Sequence, residues 1–327
     1  MPDGYEYLNI FSLDQIINEL FLAYKERKHR KFLYAEEGTE SDVPMPADLI
    51  RLYYSKPRDE QFANIKKAFV TRYVKNESKL EGINDETIHG KAEMAGMQVM
   101  YEYIHEGEIS DPDYPLSYYD LDTLHKKLFS LAPHPEAAGK YRTTPAYLPN
   151  TGTELCDPDM IRTELYKLDK EMIGPLVKIG QVINKCDIKQ TIPLNLMKQI
   201  ENIGGFWGEY TGSKQEFYKI DAMLAYLDAT VVLGCKMIRI HPYSDGNGRT
   251  IRGFINKMLE DVGFPPIYIK ATERTEYHNA MNLANKEIEY EPDYSAIKQF
   301  YRYKICDSIV ELDINTKTRE DYKKARL

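Results

Sequence analysis

Residues Phe217 to Arg252 read FYKIDAMLAYLDATVVLGCKMIRIHPYSDGNGRTIR. Phe217, Ile220, Leu224, Leu227, Val231, Cys235 and Ile238 step by three and four, the period of an α-helix. Met223 and Val232 stand beside that stripe, so the helix is apolar on most sides. Such a helix belongs in the middle of a domain with other helices around it. Lys219, Asp221, Asp228 and Lys236 interrupt the run, which falls short of the roughly 18 apolar residues of a bilayer span. Pro242 then fixes the exit from the helix, and the chain turns polar and glycine-rich.

Working outward, most other segments share the helical period. A capping pattern, Ser12 and Gln15, precedes Leu13, Ile16, Ile17, Leu20, Phe21 and Tyr24. That helix runs into a basic patch, Lys25 to Lys31, read as a solvated helix end. Phe62, Ile65, Phe69 and Tyr73 predict a helix that stops near Gly82. Ile88, Ala92, Ala95, Val99 and Tyr103 predict another, and Leu121, Leu124 and Leu128 a third. Ile161, Leu165 and Leu168 resume the period, followed by a less regular stretch from Ile173 to Lys214. After the glycine-rich segment come a helix to about Val262 and two more from about Glu273 and Pro292. The exception is Thr143 to Pro158, where strand-like residues flank an Asn-Thr-Gly turn. Pro145 and Pro149 cannot donate to a ladder, so this is an exposed edge hairpin. The expected fold class is all-α with one β-hairpin.

The 327 residues carry 43 Lys plus Arg against 51 Asp plus Glu, a net charge of −8. That balance argues against a protein whose work is gripping nucleic acid, and no segment argues for a membrane partner. Cys156, Cys186, Cys235 and Cys306 stand far apart, with no zinc-type pairing. The first residues lack the basic start of a signal peptide, so the expected location is cytoplasmic. Twenty-six tyrosines against one tryptophan fit core edges and contact surfaces. The polar loop Glu36 to Asp48 suggests an N-terminal helical appendage over 1–58, a main domain over 59–310 and a polar tail over 311–327.

The segment His241-Pro-Tyr-Ser-Asp-Gly-Asn-Gly-Arg-Thr-Ile-Arg252 carries the chemistry. Gly246 and Gly248 flank Asn247, so the backbone can curl and aim successive N–H groups at an anion where a helix begins. Arg249 and Arg252 lie three apart on the first turn, and two guanidinium forks fit a polyphosphate. Asp245 supplies one hard oxygen, the way Mg²⁺ is usually held against a nucleotide. His241 can act as a general base near bound phosphate. The EF-hand reading fails because Asn256 stands where the bidentate Glu is needed, and no P-loop pattern is present.

These residues resemble the signature of the Fic family, His-Pro-Phe-x-Asp/Glu-Gly-Asn-Gly-Arg-x-x-Arg, with Tyr243 in place of Phe. The resemblance covers roughly Ile65 to Tyr303. Gly139 to Arg142 (GKYR) resembles the Gly-x-Tyr-Arg before the family's flap, and Tyr277 to Asn285 its adenosine-side helix. It implies an all-α fold with a β-hairpin flap over 143–158, and transfer of AMP from ATP to a Tyr, Thr or Ser hydroxyl of a protein target, or of the chain itself. His241 is then the base, and Asp245 holds Mg²⁺ across the α- and β-phosphates. Gly246, Asn247 and Gly248 cradle the α-phosphate, Arg249 meets the β-phosphate and Arg252 the γ-phosphate. His278, Met281 and Asn285 line the adenosine pocket, although the family more often has Tyr at the His278 position. Thr143, Thr144, Ala146, Tyr147 and Leu148 form the target-docking side of the flap.

Many Fic proteins carry an inhibitory helix with Ser/Thr-x-x-x-Glu-Gly/Asn. Here Glu81-Gly82 matches the second half, at the end of a helix over about 60–82, while Glu77 stands where the hydroxyl belongs and Ser78 follows it. The resemblance implies that Glu81 restrains the enzyme through Arg252, with Ser78, three residues before it, as the hydroxyl of the inhibitory helix. Three alternatives stay open: Glu81-assisted removal of AMP from a target, transfer of another group such as UMP or phosphocholine, and a non-catalytic nucleotide-dependent interaction module. A homodimer is also left open.

Overall fold

A computed structural model describes residues 61–106, 115–131, 135–148, 153–187, 190–204, 217–285 and 292–316. The expected appendage, with its Ser12 helix and basic patch, and residues 317–327 of the polar tail lie outside them. In chain order the helices are α1 (Gln61–Leu80), α2 (Ile88–Glu106), α3 (Tyr118–Leu128), α4 (Ile161–Leu168), α5 (Gly174–Lys185), α6 (Leu194–Asn202), α7 (Lys219–Ile240), α8 (Asn247–Asp261), α9 (Arg274–Ala284) and α10 (Ser295–Thr316). The all-α expectation holds, and α10 runs past the boundary expected at 310.

Helix α7 is the axis. Every residue of it except Lys219, Lys236 and Arg239 is buried. Helices α5, α6, α8 and α10 pack around it. Asp228, fully buried on α7, is tolerated because Arg302 on α10 meets it with both arms of its fork, at 3.1 and 2.8 Å. Asp221 accepts the Tyr218 N–H at 2.9 Å, satisfying an orphan donor at the helix start.

Helix α1 ends as expected. Gly82 has φ 75°, its N–H reaches the Lys79 carbonyl at 3.2 Å, and the Ile83 N–H reaches Ser78 at 2.9 Å. These two bonds form a Schellman turn, which needs a left-handed residue and so favours glycine. Tyr73 is buried on the expected face; the side chains of Phe62, Ile65 and Phe69 lie outside the description.

Three expectations need correction. The apolar face of α2 is rotated by about one residue: Met97, Met100, Tyr101 and Ile104 are buried, while Ile88 is 85% exposed. Glycine and methionine decide that face, because Gly96 lies against the Leu128 carbonyl and admits no larger side chain. Over its described residues the stretch from Ile173 is not irregular: it holds α5 and α6, and α4 passes into α5 through a π-helical turn, Asp169–Ile173. The sheet comes from β1 (Thr191–Ile192) and β2 (Phe217–Tyr218), antiparallel. The expected hairpin is present, and among the described residues it pairs at an isolated bridge, Tyr147 with Glu154.

Candidate active site

The segment between α7 and α8 is held from every side. His241 caps α7 with φ 50°, the one non-glycine residue of positive φ among those described. Such a conformation costs about 1–3 kcal/mol and persists where the surroundings over-determine it. Here the His241 N–H bonds the Met237 carbonyl at 2.9 Å, and the His241 carbonyl accepts from Arg142 Nε at 2.7 Å. Arg142 also donates its backbone N–H to Pro242 at 2.8 Å and its guanidinium to the carbonyls of Thr144, Cys156 and Ile240. Arg142 thus ties the base of the hairpin to the end of α7.

Asn247 closes the loop on itself. Its Oδ1 accepts the Tyr243 N–H at 2.9 Å and its Nδ2 donates to the Tyr243 carbonyl at 2.7 Å. Its side chain is therefore a staple, and only its backbone faces an anion. Gly246 has φ 73°, and a methyl group there would lie 2.5 Å from Phe129. Beneath the loop, His125 of α3 donates from Nε2 to the Asp245 carbonyl at 3.0 Å and accepts the Gly139 N–H on Nδ1 at 2.7 Å. Those two bonds define its tautomer. Burial drives its pKa down to about 4, against the pull of the Asp245 carbonyl. Its ring stacks on Tyr243 at 3.8 Å, and the Tyr243 hydroxyl donates to Asp122 at 2.5 Å, a bond that Phe could not make.

The first-turn N–H groups of α8 have no acceptor within the helix, so the loop opens on a positive helix end. Both arginines are buried and both are paired. Arg249 meets Glu93 of α2 at 2.6 Å and Asp245 at 3.4 Å. Arg252 meets Glu77 through Nε at 2.6 Å and Glu81 through Nη2 at 2.5 Å. The Glu81 carboxylate covers the helix start: a methyl group on Gly248 would stand 3.0 Å from its Oε1. Burial raises the Glu81 pKa, but Arg252, with Arg249 and His278 behind it, outweighs that and leaves it below the usual carboxylate value. Burial dominates at Glu77, whose pKa is raised despite Arg252.

The Asp245 side chain is 73% exposed and stands at the mouth of a cleft of about 310 Å³, lined also by Glu81, Asn84, His89, Glu93 and Arg249. Its Oδ1 accepts from Gly246 and Arg249. With Glu81 and Glu93 paired to arginines, Asp245 is the most exposed carboxylate of the cleft, and one such oxygen ligand suits Mg²⁺ completing its shell with phosphate and water. Among the described residues no group of three or more His, Cys, Asp or Glu could hold a metal by itself. His241 is also suited to its expected role, since burial holds its imidazole below the ordinary value and therefore neutral at pH 7.

The remaining expected residues are divided. His278, exposed on α9, lies close enough to Glu81 for the two charges to interact. Met281 is buried, and the Asn285 amide turns back to the Met281 carbonyl at 3.0 Å, ending α9. Ser78 is not part of the site: its hydroxyl points to the Met97 sulfur at 4.0 Å. In the hairpin, Thr143, Thr144 and Tyr147 are exposed, Ala146 is half-buried and Leu148 buried. The sequence assigned no role to Glu93, His125, Asp122 or Arg142. Only Arg142 carried a signal, as the last residue of GKYR.

Residues 195–259 match the Fic/DOC family. A protein adenylyltransferase Fic from Nematostella vectensis is 46% identical over 50 residues, 15% of this chain and 12% of that protein. One from Drosophila melanogaster is 43% identical over 51 residues, 16% of this chain and 10% of its own length. The matched stretch thus spans only about a tenth of these relatives. The structure resembles Fic-1 of C. elegans with a TM-score of 0.58 at 16% identity, covering 97% of this chain and 79% of that one. It resembles a Fic domain containing signaling protein from Bacteroides thetaiotaomicron with a TM-score of 0.56 at 15% identity, covering 82% and 95%. At such identities the likeness shows the fold, which is that of Fic proteins.

Proposed function

From a Fic-type core we propose that this chain transfers AMP from ATP to a hydroxyl of a protein target, and that Glu81 restrains the transfer. The observation that carries the reading is the Glu81 carboxylate, on Arg252 Nη2 and against Gly248 at the start of α8. A negative group already occupies the place best suited to a phosphate.

In the reaction the target oxygen attacks the α-phosphorus and the bond to the β-phosphate breaks, releasing pyrophosphate. His241, neutral because it is buried, takes the hydroxyl proton. The N–H groups at the start of α8 face the charge that grows on the α-phosphate. Arg249 and Arg252 receive the outer phosphates once Glu93 and Glu81 yield. Asp245 would hold Mg²⁺, which when bound offsets the phosphate charge. Arg252 shared with Glu81 cannot meet the γ-phosphate fully, so the chain of phosphates bends and the α-phosphorus leaves the line of attack. A displacement of about an ångström suffices to cost roughly a hundredfold in rate.

The test is labelling by Mg·ATP read by intact mass. Glu81→Gly should raise AMP transfer, mainly in kcat, and Glu81→Gly with Arg252→Ala should abolish the gain. Equal labelling by wild type and Glu81→Gly at saturating Mg·ATP would show that Glu81 only ends a helix. Glu81 also lines the cleft as an ionised carboxylate beside Asp245, which favours a second activity, water-mediated removal of AMP from a labelled target.

A further inference from the structure

Two carboxylates hold Arg252, and they hold it differently. Glu77 is 1% exposed, whereas the Glu81 side chain is 33% exposed. Glu77 engages both oxygens: Oε2 takes Arg252 Nε at 2.6 Å, and Oε1 takes the Ile269 N–H at 3.3 Å. It therefore links α1 both to α8 and to the segment that follows α8. Glu81 touches Arg252 through Oε1 alone, at 2.5 Å. Position on the helix reinforces the contrast. Glu77 stands within α1, whereas Glu81 is the cap residue just before the left-handed Gly82, at the rim of the cleft.

The guanidinium geometry explains how both fit. Nε–H and one Nη2–H lie along the same edge of the planar fork. Glu77 and Glu81, four apart on one helix face, meet that edge side by side. Two like charges at this spacing repel, and the shared arginine is what reconciles them. With that edge occupied, Nη1 is turned toward the start of α8, 2.8 Å from where a methyl group on Gly248 would be.

We propose that Glu77 is a fixed positioning residue that aims Arg252, while Glu81 is its exchangeable partner, so that an incoming triphosphate displaces Glu81 alone. This rests on the reading of the site as one for ATP. Arg252 then reaches the γ-phosphate through Nη1 and Nη2, with Nε still held by Glu77. Removing Glu81 unmasks a guanidinium that is already oriented, and removing Glu77 as well leaves one that is unmasked but unaimed.

The experiment uses the full-length chain carrying Glu81→Gly, with Mg·ATP and Mg·ADP affinities from calorimetry and kcat and KM for AMP transfer. Glu81→Gly alone should bind Mg·ATP about tenfold more tightly than Mg·ADP, the contribution of one charged fork to the γ-phosphate. Adding Glu77→Ala should bring that ratio close to one and lower kcat about tenfold or more, because the phosphates are no longer held in line. Adding Glu77→Gln instead should restore both in large part, since its amide oxygen still accepts from Nε and only the longer bond from the Ile269 N–H is lost. If Glu77→Ala does not fold, Glu77→Met, of similar length with no hydrogen-bonding oxygen, serves in its place with the same expected result. Unchanged ratio and rate in the Ala or Met variant would reduce Glu77 to a buried structural anchor and overturn the proposal. So would a Gln variant as impaired as the Ala or Met one, or tighter Mg·ATP binding in all of them, which would mean that Glu77 only neutralises charge. No preference for Mg·ATP in Glu81→Gly itself would sink the reading of the site as one for ATP, and this inference with it.

Discussion

The motif loop, residues 241–252, and the hairpin, residues 143–158, meet at Arg142 and are held in opposite ways. The loop is fastened by side chains from α3, by its own Asn247, and by Arg142 gripping the His241 carbonyl. It keeps two left-handed residues, His241 and Gly246, in place. Among its described residues the hairpin has one isolated bridge, with Leu148 N–H on Thr153 at 2.9 Å and Leu155 N–H on Ala146 at 3.0 Å. On the proposed reading, one stretch presents atoms to a reacting centre within a fraction of an ångström, and the other would meet a target chain whose side chains vary. The contrast suggests preorganised chemistry beside an adaptable dock.

The comparison breaks first at His241. His241→Ala should lower transfer by about 10²- to 10⁴-fold while Mg·ATP binding measured by calorimetry stays near wild type. Labelling by that variant at the wild-type rate would remove the rigid loop's reason to exist.

The second test separates His241 from the histidine beneath the loop, since His125 on α3 has both nitrogens engaged and supports the loop. Its folded pKa of about 4 lies below the ordinary value of about 6.5. As pH falls, the unfolded chain takes up this proton first. The neutral-histidine contribution is therefore complete above about pH 6.5 and is lost as pH falls toward 4, a change of up to about 3 kcal/mol. Thermal melts at pH 7 and pH 5 should show a larger drop for wild type than for His125→Gln, which has no proton to gain. Parallel drops would mean that other groups set the acid sensitivity.

The hairpin's share is smaller and lies in its backbone. Because the residues on either side of Tyr147 make the bridge bonds, its own N–H and carbonyl point to the open edge. Pro145, next in that outward set, has no N–H to offer. If a target adds a strand there, Tyr147→Pro should weaken transfer to a protein substrate about five- to tenfold, the effect of one main-chain hydrogen bond. Tyr147→Ala should change it little. A large loss with Ala and none with Pro would mean that the side chain docks the target.

The smallest effect belongs to Tyr243→Phe, which removes the hydroxyl from Asp122 and leaves that carboxylate with Tyr141 at 3.1 Å. Stability should fall by about 1–2 kcal/mol in urea melts, with kcat within about twofold of wild type. A kcat loss as large as that of His241→Ala would make the layer beneath the loop part of the chemistry.

What the sequence revealed and what it hid follow one physical line. Local signals were legible: the stripe of α7, the glycine that stops α1, and the curl of residues 241–252. Each depends on neighbours within a few residues. The partners of those elements were not. Glu93, 156 residues before Arg249, looks like any exposed helix carboxylate until α2 packs beside α8. His125 is 120 residues from the carbonyl it supports. The face of α2 was misjudged for a related reason, because close approach at Gly96 decides it and apolar spacing does not. Ser78 looked like the missing hydroxyl by sequence proximity, yet one residue is about 100° of helix, enough to turn it to Met97.

The turn at Gly82 also gives the restraint a clock. Glu81 is fastened to the last turn of α1 by the Gly82 and Ile83 amides, so it leaves Arg252 by rotating its own side chain or by fraying that turn. Only fraying exposes the Ile83 N–H to solvent. Deuterium uptake at that single amide therefore distinguishes a carboxylate that swings from a helix end that unwinds. If the end unwinds, the free energy of opening sets how often the site is released. Anything that binds residues 78–83 in a non-helical form would then switch the site on without touching its chemistry.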